Sequence, residues 1–340
     1  MPDPRPLVIA HRGASGYLPE HTLAAYELAA RQGADYLEPD VVATRDGVLV
    51  ARHENEISGT TDIADRPRFA DRRTTKVVDG REVTGWFTED LTLEELRTLR
   101  ARERLPHLRG TDRDGEHPVA TLAEIVDLRG RLSAELGREI GLYIETKHPT
   151  YFAGLGLALE EPLLAELDRA GLEGPGAPVF LQCFELTNLR RMRHRLGSGL
   201  RQVFLASAPD RVPYDLVVAG TPTSYRELLG DEGMARLAGD VDGIGPAREM
   251  VVPRTPEGAL GRPTRLVERA HRAGLVVHPW TLRAENHFLP PALHGPGGES
   301  AHGDLAAEAT AYLEAGVDGF FTDHPDLGVS ARDRWAAAGS

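Results

Sequence analysis

Cysteine is nearly absent from this chain of 340 residues: Cys183 stands alone, so no internal disulfide and no cysteine-built metal cage can form. Lysine is almost as scarce, with Lys76 and Lys147 the only two among 39 Lys and Arg. Where arginine serves so generally, a retained lysine marks a place that needs a compact ammonium rather than a planar guanidinium. No apolar run approaches the ~18 residues of a membrane span. The N-terminal MPDPRPLVIAHRG lacks an apolar signal core, since LVIA is too short. The chain is therefore expected to be cytoplasmic, the alternative being a secreted protein whose leader is missing. A net charge of -13 speaks against nucleic acid or an anionic membrane as partner, because both require basic patches. No Gly-rich nucleotide loop follows any strand. Oligomeric state is not legible.

What is present suits a soluble globular protein, with 41% hydrophobic and 27% charged residues. Chemistry-bearing residues are densest between Leu7 and Glu54. LVIA (7–10) reads as a buried strand ending at His11-Arg12-Gly13. Pro19 and Glu20 open a helix that Gly33 ends. Asp35 to Val42 is a second strand, in which Glu38 and Asp40 point to one face. The Asp46-Gly47 pair predicts a two-residue hairpin turn, which places His53 directly across from Asp40. From 55 to about 118 the pattern is irregular, with one helix-like run at 92–104, and reads as an insertion over the site.

Alternation then resumes. Strands are predicted to start near Leu7, Asp35, Ile140, Val179, Arg201, Val241, Leu275 and Val317, with helices near 122–136, 155–170, 185–195, 262–273 and 304–315. Residues 206–239 hold one helix after Ser224. Eight strands alternating with helices is the α/β pattern of a (β/α)8 TIM barrel. A doubly wound sheet is the runner-up, but its phosphate loop is missing.

In such a barrel the C-terminal strand ends form the site, and His11, Glu38, Asp40 and Glu145 fall there. Three carboxylates converging on one mouth repel one another unless a cation joins them, and an all-oxygen ligand set suits a hard ion, Ca²⁺ or Mg²⁺. Flanking His11 and His53 supply a general acid and a general base. Arg12 and Lys147 add positive charge for an anionic substrate. Together these groups point to phosphoryl transfer without a nucleotide. His21, His107, His117, His194, His271, His287, His294 and His302 read as solvated. His148, His278, His324 and Trp280 lie beside strand ends. A Ser-His-Asp arrangement around Ser15 has no nucleophile elbow behind it.

HRGASGYLPEHTLAAY, YLEPDVVATRDGVLVARHE, YIETK and GVDGFFTDHPD together resemble the glycerophosphodiester phosphodiesterase family over nearly the whole chain. The resemblance implies a single barrel domain spanning 1–340 with an insertion subdomain at 55–118 that helps shape a glycerol pocket. It implies hydrolysis of glycerophosphodiesters to sn-glycerol 3-phosphate and an alcohol, with one divalent cation, Ca²⁺ preferred over Mg²⁺. His11 and His53 match the acid–base pair, and Glu38, Asp40 and Glu145 match the metal ligands. Arg12 and Lys147 match the phosphate-holding positions, Glu20 the acid of an E-N-T motif, and Trp280 an aromatic near the substrate. Two positions depart: His21 stands where the family usually has Asn, and Glu54 where it usually has Asp. The rival expectations are a lysophospholipid-cleaving barrel with the same HRG and E-x-D features, and a barrel that binds phosphodiesters without turning them over.

Overall fold

Apolar runs with no polar alternation must be covered on both faces, and these runs become the staves of a closed parallel barrel. The computed structural model describes residues 5–339. Its strands are β1 (Leu7–His11), β2 (Tyr36–Glu38), β3 (Asp40–Ala43), β4 (Leu49–Ala51), β5 (Thr74–Val78), β6 (Arg81–Gly85), β7 (Gly141–Thr146), β8 (Val179–Cys183), β9 (Arg201–Ala206), β10 (Gly243–Pro246), β11 (Val276–Val277) and β12 (Gly319–Thr322). Eight of them run in the order β11-β10-β9-β8-β7-β2-β1-β12. Hydrogen bonds from Asp318 N to Val277 O (3.0 Å) and from Phe321 N to Pro279 O (3.0 Å) close the ring. The eight predicted strands are these eight.

Side chains alternate along a strand, and the barrel interior shows the consequence. One buried layer is formed by Ile9, Tyr36, Tyr143, Phe180, Val203 and Phe321. Two residues further along five of those strands stand His11, Glu38, Glu145, Gln182 and Asp323. The polar site is thus the next layer above an aromatic plug, at the mouth where barrel sites are built. Below, the Arg201 guanidinium lies 3.9 Å from the centre of the Phe180 ring. Aliphatic residues on the outer faces of the strands pack against the surrounding helices in the larger core.

The helices at 122–136 and 186–195 match expectation, the first with a Thr121–Glu124 capping box. Several local expectations fail for identifiable reasons. The first helix starts at Leu23, not at Pro19, because His21 takes a left-handed φ of 61° and Thr22 caps the helix by accepting from Ala25 N. The hairpin after β3 has a three-residue loop, Arg45-Asp46-Gly47, in which Gly47 has φ 77° and Thr44 N bonds Val48 O. The register is therefore Val41↔Ala51 and Val42↔Val50. Arg52, whose N–H bonds Asp40 O at 3.0 Å, sits where His53 was expected.

The run at 92–104 is helical only over Leu93–Leu96. Residues 206–239 hold three short helices, Tyr214–Val218, Tyr225–Leu228 and Asp231–Leu237. The β5–β6 hairpin, whose Asp79-Gly80 turn has both φ values positive, and the closing helix Pro325–Ala338 were not anticipated. Among the described residues no helix is long and apolar enough to cross a membrane.

The aromatic plug is the platform on which the site stands. Phe321→Ala, which opens a void beneath it, is expected to lower stability by about 3–5 kcal/mol, measured as a fall in the urea midpoint with an unchanged m-value.

Candidate active site

β1 ends at His11 and pairs it with Glu38 of β2, while β3 pairs Asp40 with Glu145 of β7. Glu38, Asp40 and Glu145 are buried and offer ligand oxygens within 4.8 Å of one another. Their surroundings fix them one by one. Glu38 Oε2 accepts from Arg12 N at 2.8 Å and Oε1 from Gln182 Nε2 at 3.1 Å. Asp40 Oδ2 faces His21 Nε2 at 2.9 Å and Arg12 Nε at 3.3 Å. Glu145 Oε1 accepts from Lys147 Nζ at 2.8 Å. Asp40 Oδ1 is buried without a hydrogen-bond partner.

Charge in this cluster is imbalanced. Arg12, Arg104 and Lys147 face Glu20, Glu38, Asp40 and Glu145. Burial and the neighbouring Asp40 push Glu38 well above the ordinary carboxylate range. Glu145 is raised to about 8 by burial and Asp40, against the pull of Lys147. Asp40 goes the other way: burial disfavours its charge, but Lys147, the His21 hydrogen bond and Arg12 outweigh that and hold it ionised. A hard divalent cation would replace the protons on the raised acids and give the orphaned Asp40 oxygen a partner, so the donor set fits such an ion.

His11 Nδ1 meets Asp323 Oδ1 at 2.6 Å. Arg109 Nη2 and Arg283 Nε both hold the other oxygen of Asp323 at 2.6 Å. That carboxylate stays ionised and accepts only, so His11 carries its proton on Nδ1 and leaves Nε2 bare. Burial and the Arg12 charge lower His11 to about 3, against the opposing pull of Asp323. His53 is reached from the loop after β4 and lines a cavity of about 940 Å³ with Glu145, Lys147 and Phe184. Its pKa is lowered to about 4 by burial, Arg12 and Lys147. A separate cavity of about 490 Å³, on the flank beside Gly47 and Ala123, holds none of these residues.

Arg12, with φ 63°, gives Nη1 to Glu20 Oε2 at 3.0 Å, and Glu20 also takes Arg104 Nε at 2.8 Å. Trp280 is half-buried, donates Nε1 to Gly245 O at 2.8 Å and packs edge-on to Phe184. The expectation that His21 is solvated is wrong. It is fully buried, bridging Tyr26 OH at 2.7 Å to Asp40. His278 is in the plug, bonded to Tyr143 OH at 2.8 Å; His324 is buried. His107, His194, His271, His287, His294 and His302 are exposed, as expected, and His117 is half-buried.

Sequence reasoning missed Gln182, Asp323, Arg109 and Arg283. For Gln182 and Asp323 the signal was available as period-2 spacing from Phe180 and Phe321. No pattern announces the two arginines.

The model of the glycerophosphoryl diester phosphodiesterase family matches residues 11–327. The chain belongs to this family. It is 34% identical over 338 residues to a glycerophosphodiester phosphodiesterase of Arabidopsis thaliana, covering 94% of this chain and 84% of the relative. A Haemophilus influenzae glycerophosphodiester phosphodiesterase is 29% identical over 344 residues, covering 95% and 88%. The fold is also that of an Oleispira antarctica phosphodiesterase solved with sn-glycerol-3-phosphate, at a TM-score of 0.60 and 21% identity over 97% of each chain. As a member of this family the chain is an enzyme, a phosphodiesterase.

Three buried histidines must gain protons when this phosphodiesterase unfolds. Burial leads the lowering of His11 to about 3 and of His278 and His324 to about 4, against about 6.5 unfolded. These rings bind more protons in the unfolded state between pH 6.5 and 4, so the histidines' share of stability falls as the pH drops through that window, while Glu38 and Glu145, protonated in the folded chain, act in the opposite sense. Imidazole nitrogen-15 shifts followed from pH 7.5 to 4.5 should show the three rings staying uncharged; titration near 6.5 contradicts the neutral, buried assignment.

Proposed function

We propose that this phosphodiesterase hydrolyses glycerophosphodiesters to sn-glycerol 3-phosphate and an alcohol, with His11 and His53 as the acid–base pair. The observation that carries the reading is geometric. Each histidine has Nδ1 on a carboxylate, Asp323 for His11 at 2.6 Å and Glu54 for His53 at 3.0 Å. Each therefore has Nε2 free for proton transfer, His11 paired in register with Glu38 and His53 lining one cavity with Glu145. The product bound to the Oleispira relative supports glycerol 3-phosphate as the retained half.

Glu38, Asp40 and Glu145 would hold one divalent cation, for which we favour Ca²⁺ over Mg²⁺ because flexible oxygen sets suit the larger ion. When bound, such an ion stabilises charge on phosphoryl oxygens and lowers the pKa of a coordinated hydroxyl or water. The chain's own groups do the rest. Arg12 has Nη1 on Glu20 and Nε facing Asp40, so we assign its Nη2 to the phosphate. Lys147, a cation whose charge Glu145 and Asp40 support against burial, lies on the same cavity wall as His53. One histidine, bare at Nε2, takes the proton of the attacking hydroxyl, water or the glycerol 2-hydroxyl; the other, charged once the phosphate anion lies beside it, gives its Nε2 proton to the departing alkoxide, and exchange with solvent resets the pair. Glu20 orients Arg12, and Trp280 with Phe184 forms an aromatic wall beside the leaving alcohol.

Residues 55–118 we read as an insertion subdomain in a single barrel domain. It supplies Arg104 to Glu20 and Arg109 to Asp323, and its Asp79-Gly80 turn lines the large cavity, which supports a part in shaping the glycerol pocket.

His11→Ala and His53→Ala should each lose roughly 10²–10⁴ in turnover of glycerophosphocholine, followed as glycerol 3-phosphate release. EDTA should abolish the reaction, and add-back separates Ca²⁺ from Mg²⁺. Near-full turnover in both variants refutes the histidine assignment. A cyclic phosphate seen by phosphorus NMR identifies the glycerol 2-hydroxyl as nucleophile.

A further inference from the structure

Beyond the two carboxylate–histidine pairs, one chain of imidazole–carboxylate contacts links three separate parts of the fold. His53 Nδ1 lies 3.0 Å from Glu54 Oε1. Glu54 Oε2 lies 2.9 Å from His148 Nε2, and His148 Nδ1 lies 2.6 Å from Asp79 Oδ2. His53 and Glu54 follow β4, His148 follows β7, and Asp79 is in the turn of the β5–β6 hairpin.

We infer that His148 and Asp79 are positioning residues for His53, holding Glu54 so that the His53 ring presents Nε2 to the substrate. The inference rests on His53 being an acid–base group.

Three observations support it. Both Glu54 oxygens are engaged by ring nitrogens, one from each histidine. Its side chain is 50% exposed, so without the second ring it would rotate in solvent and fix nothing. His148 sits between two carboxylates, so both its nitrogens must donate and it is an imidazolium; Asp79 and Glu54 raise it to about 9 despite burial. Finally, the backbone is held in an unusual state at the last two members of this chain of contacts. His148 has φ 50° and Asp79 φ 47°, left-handed values that cost a non-glycine residue about 1 kcal/mol or more. At His148 that conformation stands directly before the helix Pro149–Gly154 with its ring turned back to Glu54.

The charged groups around this chain of contacts are few. Arg12, Lys147, Glu54 and Asp40 act on His53. Lys147 and the two histidines act on Glu54, and Asp79 and Glu54 act on His148. Lys147 acts on Glu54 through space without a hydrogen bond to it; its ammonium bonds Glu145. Only His148 therefore clamps the second oxygen.

The test pairs kinetics with nitrogen-15 NMR on the full chain. His148→Ala should lower kcat roughly tenfold, in the range seen when an orienting partner is removed, with KM nearly unchanged. His53 should pass from a single Nδ1–H tautomer to a mixture. His148→Gln, which still donates to Glu54, should recover most of the loss. Asp79→Asn is the second probe should His148→Ala fold poorly, and should give a smaller loss in the same direction. The proposal is overturned if the folded His148→Ala enzyme, or Asp79→Asn in its place, keeps wild-type kcat and a single His53 tautomer. It is equally overturned if Ala and Gln at 148 behave alike. His53→Ala, run alongside, separates the two levels: full activity there overturns the acid–base reading itself, whereas an inactive His53→Ala with an indifferent position 148 overturns the positioning role alone.

Discussion

Everything at the mouth of this barrel follows from three buried carboxylates forced together by strand pairing. Once β2 and β3 both pair with β7 in register, Glu38, Asp40 and Glu145 have no freedom to separate. Like charges at such spacing raise one another's pKa, and burial magnifies the effect. The surrounding residues counter it only in part: Lys147 acts on Glu145, His21 and Arg12 on Asp40, and Gln182 and a backbone N–H on Glu38. What remains is an oxygen on Asp40 without a hydrogen-bond partner and two acids, Glu38 and Glu145, held above the ordinary carboxylate range. Such a set could take a hard cation in exchange for protons, and it stands on a platform of Tyr36, Tyr143, Phe180 and Phe321 that cannot easily collapse.

The two histidines are held in unlike ways. His11 is at the end of a central strand, and its partner Asp323 is gripped by Arg109 and Arg283, so its orientation is decided deep within the protein. His53 lies past the end of a short antiparallel strand, with a half-exposed carboxylate as its partner. Rigidity there must come from elsewhere. Residues 55–118 contribute to both, through Arg109 on one side and Asp79 on the other. On our reading this irregular segment braces the mouth, through the contacts of Arg104 with Glu20, Arg109 with Asp323 and Asp79 with His148.

The barrel was legible because its strands are unbroken apolar runs, which have only one comfortable place in an α/β protein. The acids and His11 were legible because they stand at the ends of those runs. What failed did so for local reasons. A two-residue turn was inferred from Asp46-Gly47, but Thr44 and Gly47 make a three-residue loop. That slips the pairing by one, and a one-residue slip exchanges the faces of a strand. His53 is still near the cluster, but by leaving the strand rather than by pairing with Asp40. His21 was read as solvated because polarity and helix position suggested it; only tertiary packing reveals that Tyr26 and Asp40 enclose it. Asp323 was within a recognised motif, yet its role depends on Arg109, more than two hundred residues away in the chain.

We propose that the crowded carboxylates hold one divalent cation. Isothermal titration of the metal-stripped protein with Ca²⁺ and Mg²⁺, comparing wild type with Asp40→Asn, tests it most directly. One ion should bind per chain in the wild type, with proton release from the raised acids, and binding should weaken by at least tenfold in the variant. Binding that is absent from the wild type, or that survives Asp40→Asn undiminished, contradicts the account.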